Sequence, residues 1–407
     1  MLALINATLI DGTGARPRKG MKVLIDGKKI AAVGRYIIIP EDARVIDLKC
    51  RVLMPGLIDA HAHLGDHPYK DRPGIDSAER SDFYANMRKL TLEAGVTTIR
   101  SCGDYMYDTA LARDRINSGE LTGPRLICSG KSFMRRDGHP ATTVWASDPA
   151  TVENCGAYPT APDDARVMVR EAAQAGMDFI KIIVSDVHIS YWPKKAEQLE
   201  TKIIEAIIDE AHKHGKPVAC HVDNLDQANL VLDFGADEIH HLANIGSPRY
   251  ELAEYGKLFL RMCEKNIWLV PTLAAPRAFD SARMAKKCID GSVDYTANVL
   301  RSAYEYGVQF GLGCDSGCPG VPWGKCVWEE MAEYVYNIGM SPLEAIRCAT
   351  ANNARMIGME TQLGTVRAGT FADLLVLDKD PTEDIGNLDS VSLVIRAGVI
   401  TKEGRSA

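Results

Sequence analysis

Short apolar segments recur along the middle of this 407-residue chain, each behind a helical stretch and most with a glycine just in front. In order they are "GLIDAHAH", "GVTTIRSC", "GPRLICSG", "GMDFIKIIVS", "GKPVACHV", "GADEIHHL", "NIWLVPTL" and "GVQFGLGC". A glycine before a strand fits the left-handed C-cap of the preceding helix, and alternation of strand with helix makes a parallel sheet. Eight such units predict an α/β fold, a closed (β/α)8 TIM-like barrel, whose active site lies at the C-terminal ends of its strands. The flanks differ in texture. "MKVLIDGKKIAAVG" near the start and "GTFADLLVLD" and "VSLVIRAGVITKEG" near the end alternate apolar runs with tight turns and leave little room for helices. The expected division is a β-sandwich from both ends, residues 1–55 plus 362–407, beside a barrel over residues 56–361.

Composition narrows the partner. A net charge of -7 with no basic block argues against nucleic acid or an anionic membrane surface. No stretch approaches the length of a membrane span, and "MLALINATLIDGTGARP" lacks a basic region followed by a sustained apolar run, so a cytoplasmic protein acting on a small molecule is expected. A homo-oligomer is compatible with the barrel helices. The eleven cysteines form no close-paired framework. They read as reduced structural thiols, with "CDSGCPG" (Cys314, Cys318) as a weaker candidate for a redox pair or metal site.

If strand ends carry the chemistry, the first ends in His61 and His63, the fourth carries Lys181, the fifth ends in His221, the sixth in His240 and His241, and the eighth in Asp315. Residues i and i+2 of a strand point to one face, so His61 and His63 can converge on one ion. His212 and His214 have the same spacing, but "LETKIIEAIIDEAHKHGKP" has helical periodicity that stops at Gly215, which makes them solvated residues at a helix C-terminus. Four imidazoles and a carboxylate at one barrel mouth suit a divalent cation, zinc in particular. Lys181 stands out in "GMDFIKIIVSD", because an uncompensated ammonium in such a strand costs several kcal/mol. It must find a partner or lose its charge, and as a carbamate it would become an anionic ligand able to bridge two metals.

With these residues in place the chain resembles the metal-dependent amidohydrolase superfamily. The motifs are "PGLIDAHAHLG", "GVTTIRSCGD", "DFIKIIVSD", "VACHVDN", "DEIHHLAN", "GLGCDSG" and "SPLEAIRCATANNARMIGM", then "LGTVRAGTFADLLVLD". The resemblance implies two divalent metal ions, zinc by ligand type, held by His61, His63, a Lys181 carbamate formed from CO2, His221, His241 and Asp315. It also selects His241 over His240, which periodicity alone does not, and leaves His240 pointing outward into packing. Asp315 would take a proton from the metal-activated water and pass it to the leaving nitrogen, while a metal or an imidazole such as His241 polarises the carbonyl.

The sequence is similar to the subgroup of Xaa-Pro dipeptidases, Xaa-Arg carboxypeptidases, ochratoxin-type amidases and imidazolonepropionases. The resemblance implies hydrolysis of a small-molecule amide, a dipeptide or N-acyl amino acid, with ring opening of a lactam or imidazolone as the alternative. A lactonase, a phosphotriesterase-like enzyme and a non-catalytic scaffold rank lower. Deaminases usually carry a glutamate a few residues after the fifth-strand histidine, where "CHVDNLDQ" offers Asp223. His139 in "SFMRRDGHPATT" matches a carboxylate-binding histidine of the peptidase-like relatives, with Arg135 and Arg136 as candidate partners. Asp223 replaces their tyrosine and would repel a substrate carboxylate. Long insertions at 66–90, 131–160, 185–200 and 273–300 predict a sheltered pocket in which Tyr69, Trp145, His188, Tyr191, Trp192 and Trp323 could line a subsite.

Overall fold

The eight segments fold as strands: β1 (Leu57–Ala62), β2 (Val96–Ser101), β3 (Arg125–Cys128), β4 (Ile180–Val184), β5 (Val218–Val222), β6 (Glu238–His241), β7 (Trp268–Val270) and β8 (Gln309–Phe310). This is a computed structural model, and it describes residues 1–65, 77–145, 148–186, 198–242, 250–276, 292–318 and 320–403. β1, β2 and β3 pair in parallel, and so do β4 to β8 in order, with Ser132–Phe133 added outside β4. Backbone hydrogen bonds join the two sheets. Ala60 donates to Leu312 at 3.0 Å, Asp315 to His61 at 2.8 Å, and Asp178 to Cys128 at 2.8 Å.

Local sequence explains the alternation. Gly176 and Gly307 adopt φ of 76° and 86° just before β4 and β8, a conformation that leaves a helix without a Cβ penalty. The helix Thr201–Lys213 buries Ile203, Ile204, Ile207 and Ile208 against the sheet, and each buried isoleucine contributes about 1.5–3 kcal/mol. His212 lies in its last turn and His214 caps it, as expected from the glycine stop. His212 Nε2 sits 2.9 Å from Asp237.

The two chain ends meet in one continuous sheet. Its order is Val399–Glu403, Val391–Arg396, Leu374–Leu377, Val52–Pro55, Leu2–Leu9, Arg18–Asp26, Lys29–Gly34, with Arg44–Asp47 also beside Leu2–Leu9. The sheet folds back on itself: Ile30 donates to the Thr370 carbonyl and Ala372 to that of Lys28, both at 2.9 Å, and Leu4, Val23 and Ile25 share one core cluster with Leu374, Val376 and Ile395, which agrees in part with the expected sandwich. Val52–Pro55 pairs with Leu2–Leu9 on one side and Leu374–Leu377 on the other, so it welds the ends edge to edge. It then runs through Gly56 into β1, so the terminal sheet anchors the strand that carries His61.

Cys314 lies beside Cys326, Cα atoms 5.9 Å apart, because the chain after β8 returns through the helix Lys325–Glu333.

Charge is buried between the strands. Arg100 on β2 and Glu238 on β6 are each 1% exposed and form a bidentate pair, with Arg100 Nη2 2.9 Å from Glu238 Oε1. The guanidinium also lies 3.6 Å from the centre of the Phe179 ring. Burial raises the Glu238 pKa, but Arg100 and His240 outweigh it and bring it from 4.5 down to about 2. Between those values the unfolded chain binds more protons than the folded one. The stability from ionised Glu238 is complete above pH 4.5 and is lost as pH falls toward about 2. We expect Glu238→Gln to flatten the fall of the urea midpoint over this window by up to about one proton's worth of slope. An unchanged slope would deny the pair this role.

Candidate metal centre

His61 is the penultimate residue of β1 and His63 follows the strand's end; His221 lies on β5, His241 ends β6, and Asp315 follows β8. Asp315 Oδ1 stands 3.3 Å from His61 Nε2 and 3.2 Å from His63 Nε2. The ring of His241 centres 4.7 Å from that of His61 and 4.2 Å from that of His221. Lys181, in register with Ala219 of β5, is 1% exposed, and its Nζ has no hydrogen-bond partner among the described residues. His61, His241 and Asp315 together present one ligand atom each within 4.8 Å of one another.

The hydrogen bonds show how these imidazoles are held. His61 is pinned at Nδ1 by His240 (2.7 Å), His63 at Nδ1 by the Gly103 carbonyl (3.2 Å), and His241 at Nδ1 by the Thr272 hydroxyl (2.7 Å). His221 is pinned at Nε2 by Asp223 (3.0 Å). A ligating histidine characteristically spends one nitrogen on such a partner and offers the other to a metal. The donor set therefore fits a divalent cation: Nε2 of His61, His63 and His241, Nδ1 of His221, and the Asp315 carboxylate.

Electrostatics favour the same reading. Burial, then the charge of Lys181, holds His61 well below its ordinary value, and burial with His221 does the same to His241. Both are neutral, as ligands must be. Burial opposes protonation of His63, but Cys318 and Asp315 overcome it and hold that imidazole well above its ordinary value. The carboxylate thus selects positive charge at this point, carried by a proton or by a metal. Burial lowers the Lys181 pKa and favours the neutral amine.

His240 departs from expectation. It points inward and is fully buried, with Nε2 2.9 Å from Glu238. Burial takes its pKa down to about 3. Glu238 and His240 share a face by strand alternation, and the chain leaves extended geometry at His241 (φ 73°) and Leu242 (φ 52°), so His241 turns in as well.

The remaining candidates separate. His139 reaches the centre: its ring lies 5.1 Å from that of His221, its Nδ1 is 2.6 Å from the Thr143 hydroxyl, and burial brings its pKa down to about 3. Asp223 is 6% exposed and turned onto His221, with its backbone N–H donating to Gln227. Arg135 chelates Asp137 at 2.7 and 3.0 Å, and Arg136 pairs with Glu153 at 2.6 Å. Trp323 donates its indole N–H to the His63 carbonyl at 2.8 Å, and Trp145 packs with Tyr105, Met134 and Ile183. Tyr69, His188, Tyr191 and Trp192 lie outside the described residues.

Sequence reasoning overlooked several supports. Asp59 accepts from the Ser316 hydroxyl (2.9 Å) and the Cys314 amide (3.2 Å), tying β1 to the turn that carries Asp315; burial raises its pKa to about 7. Asp104 accepts from Leu64 N–H at 3.1 Å just past His63. Arg100, Glu238 and Thr272 were also missed, although the argument applied to Lys181, a charge inside an apolar strand, finds Arg100 and Glu238 equally well.

Comparison with known proteins agrees with this geometry. Residues 52–401 match the amidohydrolase family. The chain belongs to that family. It is 28% identical over 406 residues to ochratoxinase of Aspergillus niger, covering 93% of this chain and 81% of that one. Imidazolonepropionase of Shouchella clausii is 23% identical over 94% of this chain and 85% of its own. Among solved structures, a Xaa-Pro dipeptidase with methionine in its active site superposes with a TM-score of 0.81 at 26% identity, covering 98% of this chain and 99% of that one. These likenesses give this amidohydrolase a TIM-like α/β barrel fold and make it an enzyme acting on C–N bonds, from a family that is generally metal-dependent. No helix among the described residues is long and apolar enough to cross a membrane.

Proposed function

We propose that this amidohydrolase cleaves the amide bond of a small acyclic substrate, a dipeptide or N-acyl amino acid, at a binuclear zinc centre in a closed barrel over residues 56–361. His61, His63, His221, His241, Asp315 and a carboxylated Lys181 hold the metals. The observation that carries this reading is the pinning of one ring nitrogen on each of the four imidazoles, with the opposite nitrogens of His61 and His63 turned to the Asp315 carboxylate. Bound cations would supply Lewis acidity and lower the pKa of a water between them from 15.7 toward ~7. The protein supplies the rest. Asp315 accepts the proton of the attacking water and returns it to the leaving nitrogen. Asp223 holds His221 in its tautomer and spends its own charge there, which weakens the argument that it repels a substrate carboxylate. His139, neutral and anchored to Thr143, has Nε2 left to donate to a substrate oxygen.

The test is amine release from a library of dipeptides and N-acyl amino acids by zinc- and bicarbonate-loaded protein, beside an absorbance screen of cyclic amides. We expect turnover of acyclic compounds. Turnover of cyclic amides alone would make this a ring-opening hydrolase and withdraw the carboxylate role of His139.

A further inference from the structure

Four buried side chains run in line from the candidate centre toward the barrel interior: His61, His240, Glu238 and Arg100, each no more than 1% exposed. Their hydrogen positions can be worked out from chemistry. A nitrogen that binds a cation carries no proton, so if His61 uses Nε2, which faces Asp315, its proton sits on Nδ1. That Nδ1 lies 2.7 Å from His240 Nδ1. Neither two lone pairs nor two N–H groups can meet at this distance, so His240 Nδ1 accepts and its proton sits on Nε2. From there it donates to Glu238 Oε2 at 2.9 Å. Glu238 accepts as the ionised partner of Arg100. The reverse order would put protons on the carboxyl of Glu238, against the guanidinium, and on His61 Nε2, against the metal.

We propose that His240 is a positioning residue: through the chain His61–His240–Glu238–Arg100 it fixes the tautomer and orientation of His61 and so sets the metal affinity of the centre. The inference rests on the reading of His61 as a metal ligand. It differs from packing because it depends on polarity, an acceptor toward His61 and a donor toward Glu238, not on volume. His240→Gln can present both, with its amide oxygen toward His61 and its amide nitrogen toward Glu238. His240→Leu presents neither.

The experiment measures zinc affinity by competition with a chromogenic chelator, together with 15N NMR of the His61 ring. Zinc binding should weaken by about 10–100-fold in His240→Leu, with His61 in mixed tautomers, while His240→Gln should recover most of the affinity and the Nδ1–H tautomer. Wild-type protein with a bare His61 Nδ1 overturns the proposal without recourse to any variant, including one that fails to fold. Wild-type protein that takes up no zinc overturns the metal reading itself. Zinc uptake by the wild type beside unchanged affinity in His240→Leu overturns only the role of His240.

Discussion

Asp315→Asn is expected to lower kcat by roughly 10³-fold, within the range for loss of a positioned acid–base group, while the protein folds and retains most of its zinc. The expectation follows from what the substitution keeps. Asp315 sits just past β8 at φ 61°, a left-handed conformation that asparagine tolerates as well as aspartate does. Its backbone N–H donates to the His61 carbonyl at 2.8 Å, a bond the side-chain change leaves alone. The amide oxygen can still face His61 and His63 as a neutral ligand, so His61, His63, His221 and His241 keep most of the cation. What disappears is a group able to hold a proton between attack and departure of the nitrogen. Turnover, zinc per chain and the thermal midpoint, measured on one preparation, separate the cases. Near-normal turnover would remove Asp315 from the proton transfer, and loss of zinc along with turnover would make it a ligand first.

The parts of this site that were legible in the sequence are those where strand ends meet chemistry. A strand bounded by turns announces its last residue, and in a parallel α/β fold that residue faces the site. His61, His63, His221 and Asp315 were named in this way, and Lys181 by the cost of burying its charge; the fold brings Asp315 within 3.3 Å of both His61 and His63. The doublet His240–His241 was harder, because the alternation rule assigns opposite faces to neighbours only while the strand stays extended. The left-handed residues at His241 and Leu242 end that regime and turn the His241 ring inward beside that of His240. Pairing between distant segments was less legible still. Nothing in "RVLMPG" says that it will bond to strands from both chain ends, yet this pairing makes the two ends one continuous sheet. Loop charges were less legible for a local reason: Arg135 finds Asp137 two residues on, and Arg136 finds Glu153, partners that strand arithmetic does not supply.

Lys181→Ala is the more searching test of the centre, because it separates two explanations of the same buried lysine. If Lys181 is a packed interior cation, its ammonium should be compensated, and among the described residues its Nζ has no hydrogen-bond partner. Leaving an ammonium in that state costs several kcal/mol. Burial instead lowers its pKa toward the neutral amine, the form that adds CO2, and the product would be an anion able to take a cation on each oxygen. Removing the side chain should therefore lower zinc from two per chain to one or fewer and cut kcat by about 10³-fold, the equivalent of some 4 kcal/mol of lost Lewis-acid assistance. A short-chain carboxylic acid, supplied at high concentration, should restore part of both by occupying the space of the carbamate. The metal-free variant should be at least as stable to urea as the metal-free parent, since an uncompensated buried amine has been deleted. Unchanged zinc stoichiometry would eliminate the carbamate, and a large loss of stability in the metal-free state would show that Lys181 serves the interior of the barrel and not its mouth.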